Sequence, residues 1–439
     1  MSIRRLSTFV AHYLRARFCA GLSGDALRDY QDRRARKMVA YAIEHSPFYR
    51  RRFAGLRLEN WRDFPPITKI EMMTEFDGFT TRGVRLEEAM TFALASETSG
   101  DHQATLRGLT VGLSSGTSGH RGLFVVNDSE RAAWAGTLLS RILPPFRIPG
   151  FRACLFLRAG SRLYESTRSP LLTLRYYDLM TPLDDAVQSL NRFRPHILVA
   201  PPSLLSMFAS EKIAGRLGIG PLRVISVAEV LDPEDERHIS AAFGLPVHQI
   251  YQCTEGLLAA TCSRAALHVM EDVVALQYEP VDPDNRDRVT PIVTDLWRRT
   301  QPILRYRLND ILILDPTPCP CGSAFQRILR IEGRQDDLFY FEHNDGSLRT
   351  FFPDVMRRMV LLASDDIRDY EIVQEGRGRV RFHIEASSDK PFAPIEEAVR
   401  LSAVKTLDRY SCHAAEIEVV RGLPPRLPNQ KRRRVRRVS

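Results

Sequence analysis

The chain has 439 residues, of which 44% are hydrophobic and 26% are charged, a composition typical of a folded globular protein with two or three domains. Its formal net charge is +9, but seven basic residues lie within residues 426–439, and the rest of the chain has a net charge of +2. This distribution argues against a nucleic-acid-binding protein. It indicates a basic tail, which we interpret as a solvated end of the chain.

The amino-terminal segment reads MSIRRLSTFVAHYLRARFCAGL. Arg15 and Arg17 interrupt its apolar residues, so we interpret it as an amphipathic first helix and not as a signal peptide. No apolar run reaches the roughly 18 residues that a membrane span requires. Seven cysteines without a secretory signal are typical of a reducing compartment, and the sequence therefore predicts a cytoplasmic protein.

Residues 1–60 carry apolar side chains at helical spacing, and this pattern stops at Ser46-Pro47. Between about residues 150 and 300, short apolar runs alternate with helical patterns. The predicted strands are RACLFL, HILVAPP, LRVISVAEVL and PVHQIY, and one of the predicted helices begins at Asp232-Pro233. This alternation predicts parallel βαβ units, in which ligands bind at the carboxyl ends of the strands.

The pattern changes after about residue 335. PDVMRRMVLLA predicts a helix, DYEIVQE and RVRFHIEA predict a hairpin, APIEEAVRLSAVKTL predicts a second helix, and AEIEVVR predicts a final strand. The fold class is therefore predicted to be α/β, with mixed or parallel sheets wrapped by helices in a large domain of residues 1–335. A small α+β domain of residues 336–439 is predicted to follow it.

The segment GLTVGLSSGTSGHRGLFVV places six small residues, Ser114 to Gly119, between two predicted strands. Such a loop is either a plain hairpin turn or a segment whose backbone approaches a phosphate closely, because no Cβ atom blocks the approach. It does not match the common phosphate-binding pattern G-x-x-x-x-G-K-[ST]. Taken alone, the loop leaves both interpretations open.

Several polar residues follow at later strand ends. Thr254 and Glu255 offer a hydroxyl and a carboxylate to Mg²⁺, Asp310 is a candidate acceptor for ribose hydroxyls, and Arg307 and Arg334 are candidate partners of phosphate or carboxylate. These candidates lie in the segments YQCTEG, LRYRLND and RIEGRQDD. The segment SVAEVL precedes them in the chain, and the segment LPPRLPNQK follows them.

The glycine-rich loop and these segments, in this order, resemble the adenylate-forming (AMP-binding) acyl-CoA synthetase superfamily. The branch they are most similar to is the phenylacetate–CoA ligase-like group, for which HSPFYRRRF followed by FPPITK is typical. That group is related to synthetases that adenylylate a deazaflavin cofactor and to capsule-biosynthesis proteins. The resemblance implies ATP-dependent activation of an aryl or other small carboxylic acid to an acyl-AMP, with release of pyrophosphate, and then transfer to the thiol of CoA or phosphopantetheine.

The resemblance also implies roles for individual residues. The residues expected to hold the ATP phosphates are Ser114, Ser115, Gly116, Thr117, Ser118 and Gly119. Ala228 and Glu229 would line the adenine and Tyr251 would stack near it, while Thr254 and Glu255 would lie at the phosphates and Mg²⁺. Asp310 would bind the ribose beside Arg334, Asp336 would be the hinge of a mobile small domain, and Lys431 would be the catalytic lysine of that domain.

Some positions depart from the family pattern. His120-Arg121 replace a usual Lys/Pro, Gln252 replaces a usual Gly, and Gln430 replaces the Gly before the lysine. Two other functions therefore stay open, an adenylyltransferase that donates AMP to a phenol or cofactor, and a degenerate, non-catalytic nucleotide-binding homologue. No carrier domain follows Lys431, so an acyl carrier protein would act in trans, with the basic tail as one surface to recruit it. The oligomeric state is not predicted.

Cys262, His268, Cys319 and Cys321 form a second group of candidates. Three thiolates and one imidazole are a known tetrahedral ligand set for structural Zn²⁺, although about 50 residues separate the two halves of the set. The alternative is a pair of buried thiols and a turn. For the acid pocket, Trp134, Tyr177 and Phe208 are apolar or aromatic candidates within residues 134–210.

Overall fold

The structure, a computed structural model, describes residues 3–99, 104–113, 122–144, 150–157, 172–179, 181–282, 285–376, 378–387, 390–414, 416–425 and 433–438. The chain divides into two compact units. The first unit comprises Met1–Leu308 with Leu312–Ile331, and the second comprises Asn309–Ile311 with Glu332–Ser439.

A mixed β-sheet forms the centre of the first unit. Five of its strands are parallel, and their spatial order differs from their order in the chain, as βαβ connections require. Ile197–Ala200 is buried at every position, as expected for a parallel strand covered on both faces. The parallel strands in spatial order are Leu172–Asp178, Phe151–Leu157, Ile197–Ala200, Arg223–Ser226 and Val247–Cys253.

Antiparallel strands extend this sheet beyond Val247–Cys253, which confirms the predicted α/β class with mixed sheets. Most of them are short, and two of them, Val274–Asp282 and Asn285–Asp295, form a long hairpin. The strands beyond the parallel part are Gly256–Thr261, Leu267–Val269, Val274–Asp282, Asn285–Asp295, Tyr306–Arg307, Asp310–Asp315 and Arg327–Arg334.

Some helix ends in the first unit coincide with capping or helix-starting residues in the local sequence. Ser46 ends one helix, and its hydroxyl then accepts a hydrogen bond from the Tyr49 amide at the start of the next helix. Asp232 precedes a helix with Pro233 in its first turn, as predicted. The helices are Ile3–Cys19, Gly24–His45, Pro47–Arg52, Lys69–Thr74, Phe76–Phe79, Leu86–Ser99, Asp128–Ile142, Leu183–Phe193, Pro202–Ile213 and Pro233–Phe243, with a 3₁₀ turn at Leu58–Asp63.

The two strands that flank the glycine-rich segment form an antiparallel pair, Thr110–Leu113 with Leu123–Val126, in which Leu113 lies opposite Leu123. Gly112 lies opposite Phe124, and a Cβ atom at Gly112 would come within 2.2 Å of the Phe124 ring. A side chain at this position would therefore require the Phe124 ring to move. The segment 114–121 between the strands lies outside the described residues.

The second unit contains a four-stranded sheet and two helices. The predicted hairpin is present as Ile367–Glu375 paired with Arg379–Ala386, and the predicted helices are Pro353–Leu361 and Phe392–Arg409. The strands of the sheet in spatial order are Glu416–Arg421, Arg379–Ala386, Ile367–Glu375 and Val435–Val438. A smaller sheet contains Phe339–His343, Leu348–Phe351 and Cys412–His413, and Gln335–Asp337 is a 3₁₀ turn.

The prediction of a solvated basic tail is wrong for its described part, residues 433–438. Val435–Val438 pairs in parallel with Ile367–Glu375 and Val435 is buried, so Glu416–Arg421 is not the final strand. Three of the positive charges of this segment pair with acidic side chains of the same unit. The ion pairs are Arg433–Asp337, Arg434–Asp369 and Arg436–Glu371.

Among the described residues, no helix combines the length and the apolar character needed to cross a membrane.

Candidate functional site

The first candidate site lies at the carboxyl edge of two neighbouring parallel strands. Ser226, at the end of one strand, pairs with Gln249 on the next. The chain turns directly after Ser226, where Ala228 has a φ of +69° and the Glu229 amide donates to the Val227 carbonyl at 2.9 Å. A positive φ is uncommon for a residue with a Cβ atom and indicates a backbone conformation held by its surroundings.

Thr254 and Glu255 form the turn that leads from Val247–Cys253 to the antiparallel strand Gly256–Thr261. The Thr254 hydroxyl donates to a Glu255 carboxylate oxygen at 2.8 Å, and Glu255 is only 7% exposed. A hydroxyl and a carboxylate held together in this way offer oxygen ligands of the kind that Mg²⁺ prefers. The predicted pair is therefore assembled at the same sheet edge as Ala228.

A buried arginine and a buried glutamine, which the sequence analysis did not identify, connect this turn to the strand after the glycine-rich segment. Arg298 donates to the Thr254 carbonyl at 2.5 Å and also to the side-chain oxygen of Gln301. Gln301 in turn accepts from the Val125 amide at 2.9 Å and donates to the Leu123 carbonyl at 3.0 Å. The side chains of Arg298 and Gln301 thus link the turn to the strand.

Burial shapes the charge state of this network. Removal from water lowers the pKa of Arg298 and raises the pKa of the neighbouring Asp295. Asp295 accepts hydrogen bonds from the backbone amides of Trp297 and Arg298, at 2.7 and 2.8 Å, which partly offset its desolvation. Within DLWRRTQP, no local pattern distinguishes these polar side chains from surface residues, since their partners lie elsewhere in the chain.

The residues around Tyr251 show how the departure at Gln252 is accommodated. Tyr251 is 8% exposed and packs in the main core. The Gln252 side-chain oxygen accepts a hydrogen bond from the Trp134 indole nitrogen at 3.1 Å. Trp134 therefore lies beside the candidate site, and its role in the acid pocket stays a prediction.

The other two pocket candidates have structural partners. Phe208 is fully buried in a core cluster against Phe156, and its role as a pocket-lining residue stays a prediction. Tyr177 stacks on Phe156, with ring centroids 4.7 Å apart, and its hydroxyl bonds to Ser189 at 2.8 Å.

Arg307 of the first unit is engaged by a carboxylate. Its guanidinium makes two hydrogen bonds of 2.6 Å with the two carboxylate oxygens of Glu279. Of the two arginines predicted to bind phosphate or carboxylate, Arg307 is therefore already paired with a carboxylate of the protein.

The predicted ribose and hinge residues all lie in the second unit. Arg334 is 3.3 Å from the Asp310 carboxylate, and the Asn309 amide donates to the exposed Asp336 at 2.7 Å. Asp337, which directly follows the predicted hinge residue, is 5% exposed. It accepts from the Arg334 amide at 3.1 Å and pairs with Arg433. The structure thus brings Asp310 and Arg334 together and adds Asp337 to this cluster.

The predicted phosphate loop Ser114–Gly119, with His120-Arg121 after it, lies outside the described residues, and so do Gln430 and Lys431. Their predicted roles stay predictions.

The four metal-ligand candidates converge in the first unit, where the ligand atoms of Cys262, His268, Cys319 and Cys321 lie within 4.8 Å of one another. The Cys262 and Cys319 sulfurs are 3.8 Å apart, and the Cys321 sulfur is 3.6 Å from the His268 Nε2 atom. Ligands on a tetrahedron around Zn²⁺ at ordinary bond lengths would be about 3.8 Å apart for two sulfurs and about 3.6 Å apart for a sulfur and a nitrogen. The observed spacings match both values.

The surroundings of this cluster also suit a metal. His268 Nδ1 lies 2.9 Å from the Phe325 carbonyl, which fixes a proton on Nδ1 and leaves Nε2 as the lone-pair donor. The amides of Arg264 and Ser323 approach the sulfurs of Cys262 and Cys321 at 3.3 and 3.5 Å. Such contacts favour thiolates, and burial, which lowers the pKa of His268, favours its neutral form. The residues therefore fit a structural Zn²⁺ ion.

The chain is similar to known proteins in sequence and in fold. No protein-family model matches the sequence. A phenylacetate–coenzyme A ligase of Thermus thermophilus is 25% identical over 384 residues, which cover 81% of this chain and 80% of that protein. Among solved structures, a 2-hydroxyisobutyryl-CoA ligase in complex with 2-HIB-AMP has a TM-score of 0.69 at 18% identity, over 93% of this chain and 88% of that one.

An anthranilate CoA ligase bound to anthranoyl-AMP has a TM-score of 0.52 at 13% identity, over 73% of this chain and 65% of that one. The solved structures share the fold, and the Thermus protein shares sequence over most of both chains. By sequence and by fold, this chain is similar to the phenylacetate–CoA ligase-like branch of the adenylate-forming enzymes, which confirms the resemblance that its motifs indicate.

Proposed function

We propose that this chain is an AMP-forming acid–thiol ligase, which activates a small carboxylic acid with ATP and transfers the acyl group to a thiol. One observation carries the proposal. The turn after Arg223–Ser226 and the Thr254–Glu255 turn lie at the same edge of neighbouring parallel strands, and Arg298 with Gln301 links the second turn to the strand that follows the predicted phosphate loop. Nucleotide sites of α/β sheets lie at such edges.

The reaction has two steps. A carboxylate oxygen attacks the α-phosphorus of ATP, the bond from that phosphorus to the bridging oxygen breaks, and pyrophosphate leaves. A thiol sulfur then attacks the acyl carbon, AMP leaves with the electron pair of the broken C–O bond, and the thiol proton passes to solvent. In the first step two anions meet, so Lys431 would neutralise developing charge while Ser114–Gly119 would hold the phosphates.

Mg²⁺, bound beside the Thr254 hydroxyl and the Glu255 carboxylate, would supply charge neutralisation for the leaving pyrophosphate. Glu255 is buried and hydrogen-bonded to Thr254, which holds its carboxylate in one orientation. Ala228, Glu229 and Tyr251 would contact the adenine, and Asp310 with Arg334 would contact the ribose. Asp336 would serve as the hinge of the small domain, residues 336–439.

The proposal also includes that the acid substrate is small. Gln252 occupies a position at which relatives usually carry glycine, and its side chain is held by Trp134 next to the Thr254–Glu255 turn. A side chain in place of a hydrogen atom leaves less room for the acid. We therefore place the substrate among small aryl or short acyl acids, with CoA or a carrier-bound phosphopantetheine as acceptor.

ATP–pyrophosphate exchange over a panel of small aryl and short acyl acids tests the first step, and mass spectrometry of thioesters after addition of CoA or carrier protein tests the second. Lys431→Ala and Glu255→Gln should each lower exchange by about 10²–10³-fold. The control Glu396→Gln, which removes a salt bridge with Arg400 within the helix Phe392–Arg409, should change it little. AMP found on a phenol or cofactor would indicate an adenylyltransferase, and no exchange with any acid would refute the proposal.

We also propose that Cys262, His268, Cys319 and Cys321 bind one structural Zn²⁺. The ligand set holds the strand Leu267–Val269 and the segment of Cys319 together. Metal analysis of protein purified without chelator should give one Zn per chain, and Cys321→Ser should reduce this content. Cys412→Ser, which changes a buried cysteine of the second unit, is the matched control, and unchanged zinc content in Cys321→Ser would contradict the site.

A further inference from the structure

The amino-terminal helix Ile3–Cys19 has an apolar surface that no described residue covers. Four large side chains on it, spaced four residues apart, are strongly exposed, at 50% for Leu6, 42% for Val10, 60% for Leu14 and 74% for Phe18. Residues four apart lie on one side of a helix. They form a continuous stripe about 18 Å long at the helical rise per residue.

The same helix is also apolar on its inner side. Ala16 and Cys19 are buried, Phe9 and Tyr13 pack against the cluster that contains Leu139, and the backbone of Phe9 lies close against Gly136 of the helix Asp128–Ile142. The helix is thus held on the protein by one face and offers a second apolar face outward. A helix that is apolar on both sides normally has both sides covered.

The charges of the helix indicate what covers the outer face. Its sequence contains four arginines and no acidic residue. Arg5 pairs with Asp128 and Arg15 hydrogen-bonds to Tyr30, but exposed Arg17 has no ion pair among the described residues. Arg17 lies directly beside Phe18, so the stripe ends in a free positive charge. An anionic surface complements this arrangement, whereas a second copy of the same helix would bring positive charges together.

The area of the stripe also argues against a second copy. A strip about 18 Å long and about 10 Å wide covers about 180 Å², far below the roughly 800 Å² per partner of a stable protein interface. Shallow insertion into the headgroup region of a bilayer requires only a few apolar side chains and nearby basic groups. We infer that Leu6, Val10, Leu14 and Phe18, with Arg17, dock the protein reversibly on an anionic lipid bilayer.

Flotation of the full chain with lipid vesicles tests this inference. The chain should float with phosphatidylcholine vesicles that contain about 30% phosphatidylglycerol, and far less with phosphatidylcholine alone or at high salt. Leu14→Ser with Phe18→Ser should lower binding to the anionic vesicles at least tenfold. Arg17→Ala, which leaves the apolar face and its packing intact, should lower it about fivefold, the usual effect of one basic residue near an anionic surface.

Ile70→Ser is the matched control, because Ile70 is 73% exposed on another helix of the same unit, and it should leave vesicle binding unchanged. ATP–pyrophosphate exchange and thermal stability of the helix variants should equal those of the parent. Because exchange and vesicle binding are measured separately, a failure of the proposed function can be distinguished from a failure of this inference. Absence of vesicle binding, or equal loss in Ile70→Ser, would overturn the inference. A concentration-dependent dimer that Leu14→Ser with Phe18→Ser dissociates would overturn it in favour of a second copy.

Discussion

Replacement of Gln301 by leucine tests whether the buried network supports the nucleotide site. Gln301 is 1% exposed, and its amide group is bonded to the Val125 amide, the Leu123 carbonyl and Arg298. Leucine has nearly the same volume but no polar atoms. The substitution therefore removes the hydrogen bonds without creating a large cavity.

The expected loss of stability is about 3–5 kcal/mol. Gln301→Leu leaves one amide and one carbonyl of the strand Leu123–Val126 without these partners, and it removes one acceptor of the Arg298 guanidinium. A buried polar group without a partner costs about 1–3 kcal/mol, and a charged group lies at the upper end of that range. The free-energy costs of the three groups add, but structural relaxation and the entry of water lower them. The expected loss of stability therefore lies in the lower half of the summed range.

The assay can follow the first unit specifically. All three tryptophans, Trp61, Trp134 and Trp297, lie in it, so denaturant unfolding monitored by tryptophan fluorescence reports its free energy of unfolding. Pyrophosphate exchange per folded molecule should fall about 10–100-fold, because the Thr254 carbonyl and the strand after the phosphate loop lose their common support.

Gln277→Leu is the matched control, since Gln277 bonds to the Arg62 carbonyl and to Arg305 in the same unit. It should lower stability but leave exchange per folded molecule unchanged. If Gln301→Leu lowers stability while exchange per folded molecule stays at the parent level, the network is purely structural and the reasoning is refuted.

Three further predictions concern other buried groups. Added chelator should release zinc from the cluster of Cys321 and lower the unfolding temperature, with restoration by Zn²⁺ and not by Mg²⁺. Asp337→Asn should destabilise the second unit by about 3–5 kcal/mol, because it leaves the guanidinium of Arg433 without its buried partner; equal circular-dichroism melting curves would contradict this. Burial and nearby Arg223 lower the pKa of His248 to about 4, so stability present above about pH 6.5 is lost as the pH falls toward 4. Between pH 7 and pH 5, the free energy of unfolding of the parent should therefore fall by about 2 kcal/mol more than that of His248→Gln.

Local patterns predicted the elements whose signals lie within a few residues. The Asp232-Pro233 helix start and the hairpin of Ile367–Glu375 with Arg379–Ala386 are of this kind. The strand Val435–Val438 was missed because RRRVRR reads as a solvated charge run. The acids that neutralise it lie 65 to 96 residues earlier in the chain, and the sequence does not show that they are adjacent.

The side chains that support the candidate site were missed for the same physical reason. Arg298 and Gln301 act on backbone groups of distant segments, and a bond to a backbone amide or carbonyl leaves no signature in the partner's residue type. Thr254 and Glu255, by contrast, could be proposed because the segment YQCTEG resembles a family motif and because their own oxygens suit Mg²⁺. A candidate site residue can thus be proposed from its type and its motif, whereas the residues that hold it in place leave no such signal.

The two units share one arrangement. In the first, the strand that begins two residues after Arg121 is fixed by Gln301, which is joined to the buried Arg298. In the second, Arg433, two residues after Lys431, is fixed by the buried Asp337. In each unit, therefore, the segment expected to bind ATP is followed within two residues by a contact that depends on a buried charged side chain. Removing a buried charge partner costs far more than removing an exposed one, so each of these contacts fixes the residues that directly follow the segment expected to bind ATP.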